Sequence, residues 1–361
     1  MCDLKAKHYL CFFTLVLSSQ SFALDIASVY HEPKILHLQQ DQKADIHFTL
    51  SNEAKITLKI FDDRDFLIKK ITMQGSKGAQ KISWDGKDMA GKIVPSEAYH
   101  YAIEAKGPAG ETAEYDSTDI TGGKTVRASN VAWDKDKSVI RYQLPKPARV
   151  IIRIGIQNRG PLMQSLLDWS PRDGGFNNEP WDGMDASGVI NLASHPKLDI
   201  SVDAYSLSDN SIIVGSSNSN IQFISNMTWT KEKRIVKQPH KKKMYAHSQQ
   251  TPETRSDLDI KLVLANTPKE AKDGASVVKG FVPIRLEVSE KDQVRLLDRG
   301  FEPIFFLDGI YMHENEMGFL PVTWQWDTRK VKEGEHFITG NIRSYEGNFG
   351  SATLKVYVKN K

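Results

Sequence analysis

Short stretches in which apolar and polar residues alternate run through most of this chain. Three clear examples are residues 46–50 (IHFTL), 56–60 (ITLKI) and 99–103 (YHYAI). An alternation of period two places one face of a β-strand on a core and the other in water. Clusters of Gly, Asp, Asn and Pro separate these stretches at hairpin spacing. The pattern therefore predicts an all-β protein built from β-sandwiches.

The chain also repeats itself. Residues 46–60 read IHFTLSNEAKITLKI, and residues 140–154 read IRYQLPKPARVIIRI, at a constant offset of 94 (140 minus 46). Further along, WDGKDMAG at 84–91 recurs as WDGMDASG at 181–188, at an offset of 97 (181 minus 84). Two ordered matches with nearly equal offsets predict duplicated domains of about a hundred residues, the usual size of such sandwiches.

The order of these features is specific. An alternating strand is followed by a turn, by Trp-Asp-Gly-x-Asp-x-x-Gly and by an aromatic strand. This order resembles the Ig-like domain of the flagellar hook-capping (FlgD-type) family. The resemblance covers roughly residues 24–226 and implies two FlgD-type Ig-like domains, at 24–122 and 123–226. Glu97 stands where that family usually has a glycine, so the turn there is altered. The second copy is interpreted as carrying insertions at 169–180 and 191–197.

The last hundred residues follow a different pattern. An Asp308-Gly309 pair predicts a hairpin turn, and PVTWQWDT at 321–328, EGEH at 333–336 and YEGNFG at 345–350 come after it. These segments resemble bacterial Ig-like modules whose final strands carry Trp-Asp-Thr, Gly-x-His and a Gly-Asn-x-Gly turn. We therefore expect a C-terminal bacterial Ig-like domain at 258–361. Residues 227–257 have the basic and polar composition of a solvated linker.

The first 23 residues have the pattern of a cleaved secretory signal. Lys5 and Lys7 precede an apolar run at 9–17, and small and polar residues end at Ala23. The run is too short for a membrane-spanning helix, which needs about 20 apolar residues. Cys11 lies near the start of the run, whereas a lipidated cysteine would lie at its end, so we expect release as a soluble protein into the periplasm or to the cell surface.

Composition narrows the chemistry that the mature chain can perform. Cleavage after Ala23 would remove both cysteines, Cys2 and Cys11, and with them any disulfide, thiolate metal site or cysteine nucleophile. The formal net charge of +3 provides no broad basic field, so nucleic acid is not an expected partner. We also expect no integral membrane span after cleavage.

The two Trp-Asp-Gly motifs are the most tempting metal sites, because each places two carboxylates close together. Calcium favours clustered oxygen ligands, but the twelve-residue loop with a terminal Glu is absent. The favoured interpretation is structural: Asp caps its own turn, Gly adopts a positive φ and Trp packs on the core. These structural turn residues are Trp84, Asp85, Gly86, Asp88, Gly91, Trp181, Asp182, Gly183, Asp185 and Gly188. A second acidic cluster, at 62–65, is expected to be a solvated hairpin loop.

Catalytic motifs are missing from the sequence. It contains no Gly-x-Ser-x-Gly, no His-Glu-x-x-His and no phosphate-binding glycine loop. A glycosidase needs only two carboxylates at the right separation, so it is the enzyme class that the sequence leaves open. We expect a protein that is not an enzyme, with no catalytic residue, no bound metal and no cofactor.

Two functions remain. The first is an exported interaction protein of the bacterial cell envelope, which presents Ig-like domains to another envelope or extracellular protein. The alternative is a carbohydrate-binding surface protein that stacks polysaccharide on exposed aromatics, with Trp169 and Phe176 as the candidate binding surface. Trp324 and Trp326 share one strand face by period two, and a core pair is favoured over a stacking platform.

Overall fold

The computed structural model describes residues 23–215, 234, 256–266, 268 and 270–361. The predicted secretory signal therefore lies outside the described residues except for Ala23. The predicted linker at 227–257 also lies outside them, except for Arg234, Ser256 and Asp257. Within the described ranges the chain is nearly all β and forms paired sheets, so the predicted all-β sandwich fold is confirmed.

The first sandwich forms where the alternating pattern predicts it. Ile46, Phe48 and Leu50 alternate along one strand and are all buried against the facing sheet. Its two sheets run β1-β3-β6 and β2-β16-β7-β4-β5, with β8 pairing on β7. The strands are β1 Ile26–Glu32, β2 Ile35–Leu36, β3 Ala44–Leu50, β4 Ala54–Phe61, β5 Leu67–Gly75, β6 Gly78–Trp84, β7 Ala98–Lys106, β8 Thr112–Tyr115 and β16 Ser211–Val214.

The second sandwich follows a four-residue helix, α1 Thr118–Thr121. Its sheets run β10-β11-β14 and β13-β12-β15-β9 around a separate apolar core. Its strands are β9 Thr125–Arg127, β10 Ser129–Asp134, β11 Val139–Leu144, β12 Ala148–Ile156, β13 Leu162–Arg172, β14 Gly175–Pro180 and β15 Leu198–Ser206.

Strand β16 follows the second sandwich in sequence but belongs to the first in space. The sequence-based boundary placed it in the second domain, whereas it pairs antiparallel with β7 and parallel with β2. Strand β8 pairs with β7 only over Ile103–Lys106, which leaves the Ala98–His100 part of that edge open for β16. Ile212 and Val214 are buried in the core of the first sandwich. The chain thus leaves the first sandwich, builds the second, and returns to complete the first.

Residues 169–180, interpreted from the sequence as an insertion, are not an added loop. They lie in β13 and β14, a hairpin that precedes Trp181 as the β5–β6 hairpin precedes Trp84. A buried ion pair holds this hairpin: Arg172 donates to both carboxylate oxygens of Glu179 at 2.7 and 2.9 Å. The loop between the second motif and β15 is longer, at residues 189–197, than its counterpart at 92–97.

The third sandwich has its own topology and core. Asp308 and Gly309 have φ values of 51° and 78°, which form the tight hairpin turn expected there. Its sheets run β17-β20-β23 and β18-β19-β25-β24-β21-β22. Its elements are β17 Ile260–Leu264, β18 Ala271–Lys272, β19 Ala275–Val278, β20 Phe281–Val288, α2 Glu290–Arg299, β21 Phe301–Leu307, β22 Ile310–Glu314, β23 Val322–Asp327, β24 Gly334–Ser344 and β25 Phe349–Val358.

In the part of the chain that the structure describes, no helix has the length and apolar character that crossing a membrane requires.

Candidate interaction surface

Both Trp-Asp-Gly motifs form the same closed turn. In the first, the buried Trp84 donates from Nε1 to Lys87 O at 3.0 Å. The Asp88 carboxylate accepts from the backbone N–H groups of Ala90 and Lys92 at 2.8 and 2.9 Å. Asp85 accepts from Lys87 N at 3.2 Å. The two glycines, Gly86 and Gly91, have φ values of 69° and 78°, which favour glycine.

The second copy repeats these bonds. Trp181 donates from Nε1 to Met184 O at 2.9 Å, and Asp182 accepts from Met184 N at 2.9 Å. The Asp185 carboxylate accepts from Val189 N and Ile190 N, both at 2.7 Å. Gly183 and Gly188 again have positive φ values, of 84° and 66°. The motif carboxylates thus bond their own backbones, and the described residues include no group of three His, Cys, Asp or Glu side chains placed to hold a metal ion.

The acidic cluster at 62–65 forms the expected hairpin loop, between β4 and β5, but the expectation that it is solvated is wrong. Asp62 is buried, accepts from Phe66 N at 2.7 Å, and has its pKa raised to about 6 by burial. Asp65 Oδ1 lies 3.0 Å from His100 Nε2 and accepts from Nε of Arg234, a residue of the predicted linker, at 2.9 Å. Burial raises the pKa of Asp65, but the interactions with His100 and Arg234 outweigh burial and lower the pKa to about 2.

Arg234 also binds Asp116, which precedes α1, and Asp119, which lies in its first turn. Its Nη1 donates to Asp116 at 3.1 Å and to Asp119 at 2.8 Å, and its backbone N–H donates to Asp65 O at 2.9 Å. Burial of the guanidinium lowers its pKa, but the hydrogen bonds to Asp119 and Asp65 raise it overall. One residue of the predicted linker is therefore fixed to the first sandwich. We call this contact the Arg234 clasp.

Glu97, at the position where the family pattern usually has glycine, joins the first sandwich to the second. Arg149 on β12 donates to Glu97 Oε1 at 2.7 Å and lies 3.7 Å from Asp63. All three side chains are largely buried. The altered turn thus supplies an acid for a buried ion-pair network between the two sandwiches.

The two aromatics proposed for polysaccharide binding lie in different environments. Trp169 is only 8% exposed and packs against Tyr205 with ring centroids 5.0 Å apart, so its face is not open to a sugar ring. Phe176 lies on the sheet-edge strand β14 and is 78% exposed. In the third sandwich Trp326 is buried, and its ring lies 6.2 Å from that of the half-buried Trp324. That pair packs on the core.

Sequence reasoning missed an exposed apolar surface on the third sandwich. It comprises Ile310, Tyr311 and Met312 of β22, with Met317 and Phe319 of the loop that follows, and we call it the β22 surface. Each of these side chains is between 41% and 72% exposed. A run such as Ile-Tyr-Met without alternation is typical of a buried strand, so only its place at the end of a sheet reveals its exposure.

The β22 surface is held in place by contacts on both sides. Strand β22 is the last strand of its sheet, and its ladder with β21 shifts register between Phe305 and Phe306. The following loop is fixed where Gly318 N donates to Phe301 O at 2.7 Å and Tyr345 Oη donates to Glu316 O at 2.8 Å. Residues 310–326 include Glu314 and Glu316 but no Lys or Arg. The surface is therefore apolar with an acidic margin.

The sheets and the duplicated motif define a chain of Ig-like β-sandwiches. Within it, residues 33–108 match the family model of the FlgD Ig-like domain, which confirms the resemblance seen in the first copy. No curated protein matches the chain.

Several solved structures align with most of the chain at low identity. Fibronectin(III)-like modules of Clostridium thermocellum CbhA are 11% identical, with 92% of this chain and 95% of that one covered and a TM-score of 0.21. A structure of a bacterial ice-binding adhesin is 11% identical, with 94% of this chain and 98% of that one covered and a TM-score of 0.19. Latent PorU from Porphyromonas gingivalis is 9% identical, with 94% of this chain and 34% of that one covered and a TM-score of 0.21.

Proposed function

We propose that this protein is a non-catalytic, exported interaction protein of the bacterial cell envelope that binds a protein partner through the β22 surface. The observation that supports this proposal most strongly is the set of five exposed apolar side chains at the edge of the third sandwich. Monomeric soluble proteins rarely expose large contiguous apolar patches without a partner for them. An exposed sheet edge is also a common site for binding another chain.

The partner's chemistry follows from the surface. Five apolar side chains require an apolar counterpart, and Glu314 and Glu316 at the margin favour Lys or Arg on the partner. A protein segment combines both features, whereas a neutral polysaccharide has no cations to offer.

The remaining parts of the proposal rest on the sequence and on the motif turns. The secretory pattern at 1–23 supports action in the periplasm or at the cell surface. A non-catalytic role is supported by the motif carboxylates, because hydrogen bonds to their own turns occupy Asp88 and Asp185.

Capture from an envelope extract with matched variants tests the proposal. Residues 24–361 are immobilised as wild type, as the double variant Ile310→Lys/Met312→Lys, and as Ile93→Lys. Ile93 lies on the first sandwich and is 62% exposed, close to the 68% of Ile310, so it controls for the general effect of a surface lysine. We expect a stoichiometric protein captured by wild type and Ile93→Lys and lost, by at least tenfold, from the double variant.

Two results would contradict the proposal. If the double variant retains the captured protein, the β22 surface is not the binding site. If no protein is captured but arrayed glycans bind and Phe176→Ala abolishes that binding, the polysaccharide alternative holds, because Phe176 is the exposed aromatic of the two proposed for it.

A further inference from the structure

Two carboxylates meet where the second sandwich contacts the start of the third. Ser165 and Asp168 lie on β13, and Asp257 lies just before β17. The Ser165 hydroxyl oxygen is 3.0 Å from Asp168 Oδ1 and also forms a short hydrogen bond with Asp257 Oδ2. The backbone N–H of Asp257 donates to Asp168 Oδ2 at 3.0 Å. One hydroxyl group thus lies between two acids from different sandwiches.

A count of protons shows what this arrangement requires. A serine hydroxyl has one hydrogen, so it donates to only one of the two carboxylates. An ionised carboxylate only accepts, so both contacts are hydrogen bonds only when one acid is protonated and donates to the serine oxygen. The two acids differ in their donors: Arg153 Nη2 donates to Asp257 Oδ1 at 3.0 Å and Phe349 N donates to the same oxygen at 2.8 Å, whereas Asp168 accepts from no cationic side chain among the described residues. Asp168 is therefore the acid that holds the proton.

Among the described residues, no Lys or Arg forms an ion pair with Asp168, although the charge of Arg153 lowers the pKa of Asp168 to a smaller extent than burial raises it. Arg153 on β12 is committed to Asp257 and to Gly347 O, at 3.0 and 2.9 Å. Arg172, on the same strand as Asp168, is bound to Glu179 within the hairpin. Arg295 of α2 donates to Ser256 O and to Asp292. Loss of the proton therefore places two like charges in a site where the Asp257 side chain is only 8% exposed.

We propose that Asp168, Ser165 and Asp257 form a proton-dependent joint, which holds the second and third sandwiches together when Asp168 is protonated and opens when it ionises. Burial and the charge of Asp257 raise the pKa of Asp168 to about 6, so the joint changes state near that pH. Neighbouring contacts do not titrate: Asn341 bonds both backbone groups of Leu162 at 2.9 and 2.8 Å. The sandwiches thus change their relative angle about Leu162 and stay connected.

A distance measurement across the joint tests the proposal. Residues 24–361 contain no cysteine, so Lys135→Cys in the second sandwich and Lys330→Cys in the third, both exposed, accept a pair of fluorescent labels. Energy transfer is measured from pH 4.5 to 8. We expect a reversible change with a midpoint near pH 6 in the otherwise wild-type chain. In Asp168→Asn, whose neutral amide donates to Ser165, we expect the low-pH value at every pH.

Two further variants make the experiment specific. Asp62→Asn removes another buried acid with a pKa near 6, but in the first sandwich, so the midpoint should stay unchanged. Asp257→Asn removes the like charge that raises the pKa of Asp168, so the midpoint should fall. A transfer efficiency that does not vary with pH in the wild-type chain, or a transition that persists in a folded Asp168→Asn, would overturn the proposal. If Asp168→Asn does not fold, the midpoint of the pH transition in Asp257→Asn tests the proposal instead. A lower midpoint than in the wild-type chain supports it, and an unchanged or higher midpoint overturns it.

Discussion

Glu97 illustrates how a single residue adapts a repeated domain to its neighbour. Its Oε1 accepts from the backbone N–H of Ala98 at 2.6 Å and from Arg149 of the second sandwich at 2.7 Å. A glycine here would leave Asp63, at 3.7 Å, as the acid nearest to the buried guanidinium, together with a long hydrogen bond to Trp169 O at 3.4 Å. Coulombic attraction to Glu97 and Asp63 offsets the burial that lowers the pKa of Arg149 and raises it overall. The departure from the family pattern therefore has a structural use.

Replacement of Glu97 should weaken the contact between the first two sandwiches. We expect Glu97→Gly to lower the free energy of unfolding by about 2–3 kcal/mol, because removal of one partner leaves a buried charge incompletely compensated. Urea unfolding measures the change, with the isosteric Glu97→Gln as the matched variant. If Arg149→Met/Glu97→Gln is as unstable as Glu97→Gly, the cost does not come from an unpaired arginine and the explanation is wrong.

At the scale of elements, β16 shows how one strand depends on distant sequence. Its neighbour Asn210 is fully buried and donates to Tyr101 O at 2.6 Å and to Thr118 Oγ1 at 2.9 Å. Its side-chain oxygen accepts from Ser117 Oγ at 3.0 Å. The amide thus fills the gap along β7 between the parts paired with β8 and with β16. The first sandwich is complete only when the chain has returned from the second.

Truncation of a β16 side chain should therefore destabilise the first sandwich rather than the second. Ile212 is fully buried against the first core, and Ile212→Ala should cost about 2–5 kcal/mol, as core truncations do. Amide hydrogen exchange should show faster exchange in β4 and β7 while β12 and β15 keep their protection. Ile152→Ala, buried in the second core, is the control and should give the opposite pattern. Faster exchange confined to β12 and β15 in Ile212→Ala would show that β16 stabilises the second sandwich.

The sequence predicted those elements whose signal is local. The alternating segments at 46–50, 56–60 and 99–103 lie in β3, β4 and β7. Period two matches the half-buried strands β3 and β4, whereas β7 is buried on both faces over 99–103 and so is covered beyond what its alternation predicts. The segment Ser-Ile-Ile-Val at 211–214 carries no local pattern that tells which strand it will pair with. Its pairing with β7 depends on the part of the β7 edge that β8 leaves uncovered. Residues 169–180 were misinterpreted as an insertion before the second Trp-Asp-Gly motif. The offset between the two copies is 94 at the first matched strand and 97 at the motif, so the second copy has only three extra residues over this stretch.

The candidate site was harder to predict than the fold for a related reason. Exposure of Ile310 and Met312 depends on their being in the last strand of a six-stranded sheet, which composition does not reveal. Conversely, Trp169 was expected at a surface because glycine and asparagine surround it, yet it packs on Tyr205. Local composition predicts a turn well, but it does not predict which side chains the other strands of the same sandwich cover.

At the scale of the whole molecule, polar contacts rather than a shared apolar core join the sandwiches. Each sandwich has its own separate apolar core. Among the described residues, ion pairs and hydrogen bonds cross both boundaries, through Arg149 at the first and through Arg153 and Asn341 at the second. Such contacts are directional, so they specify one relative placement of the sandwiches, and they respond to charge. The Arg234 clasp is a further contact of this type, between one residue of the predicted linker and acids of the first sandwich and α1.

The Arg234 clasp should therefore stabilise the first sandwich at neutral pH and lose its effect in acid. The pKa of Asp65 is lowered from 3.8 to about 2 in the folded protein, so its contribution is fully present above pH 3.8 and is lost as the pH falls through 2. We expect Arg234→Ala to cost about 1–2 kcal/mol at pH 7, a modest value because Asp65 and Asp119 are more than one third exposed. Urea unfolding at pH 7 and near pH 2 measures the difference, which should nearly vanish in acid. Lys330→Ala, which removes an exposed positive charge from the third sandwich, should have no such effect. A cost that is equal at both pH values would mean that Arg234 stabilises the sandwich through packing rather than through these carboxylates.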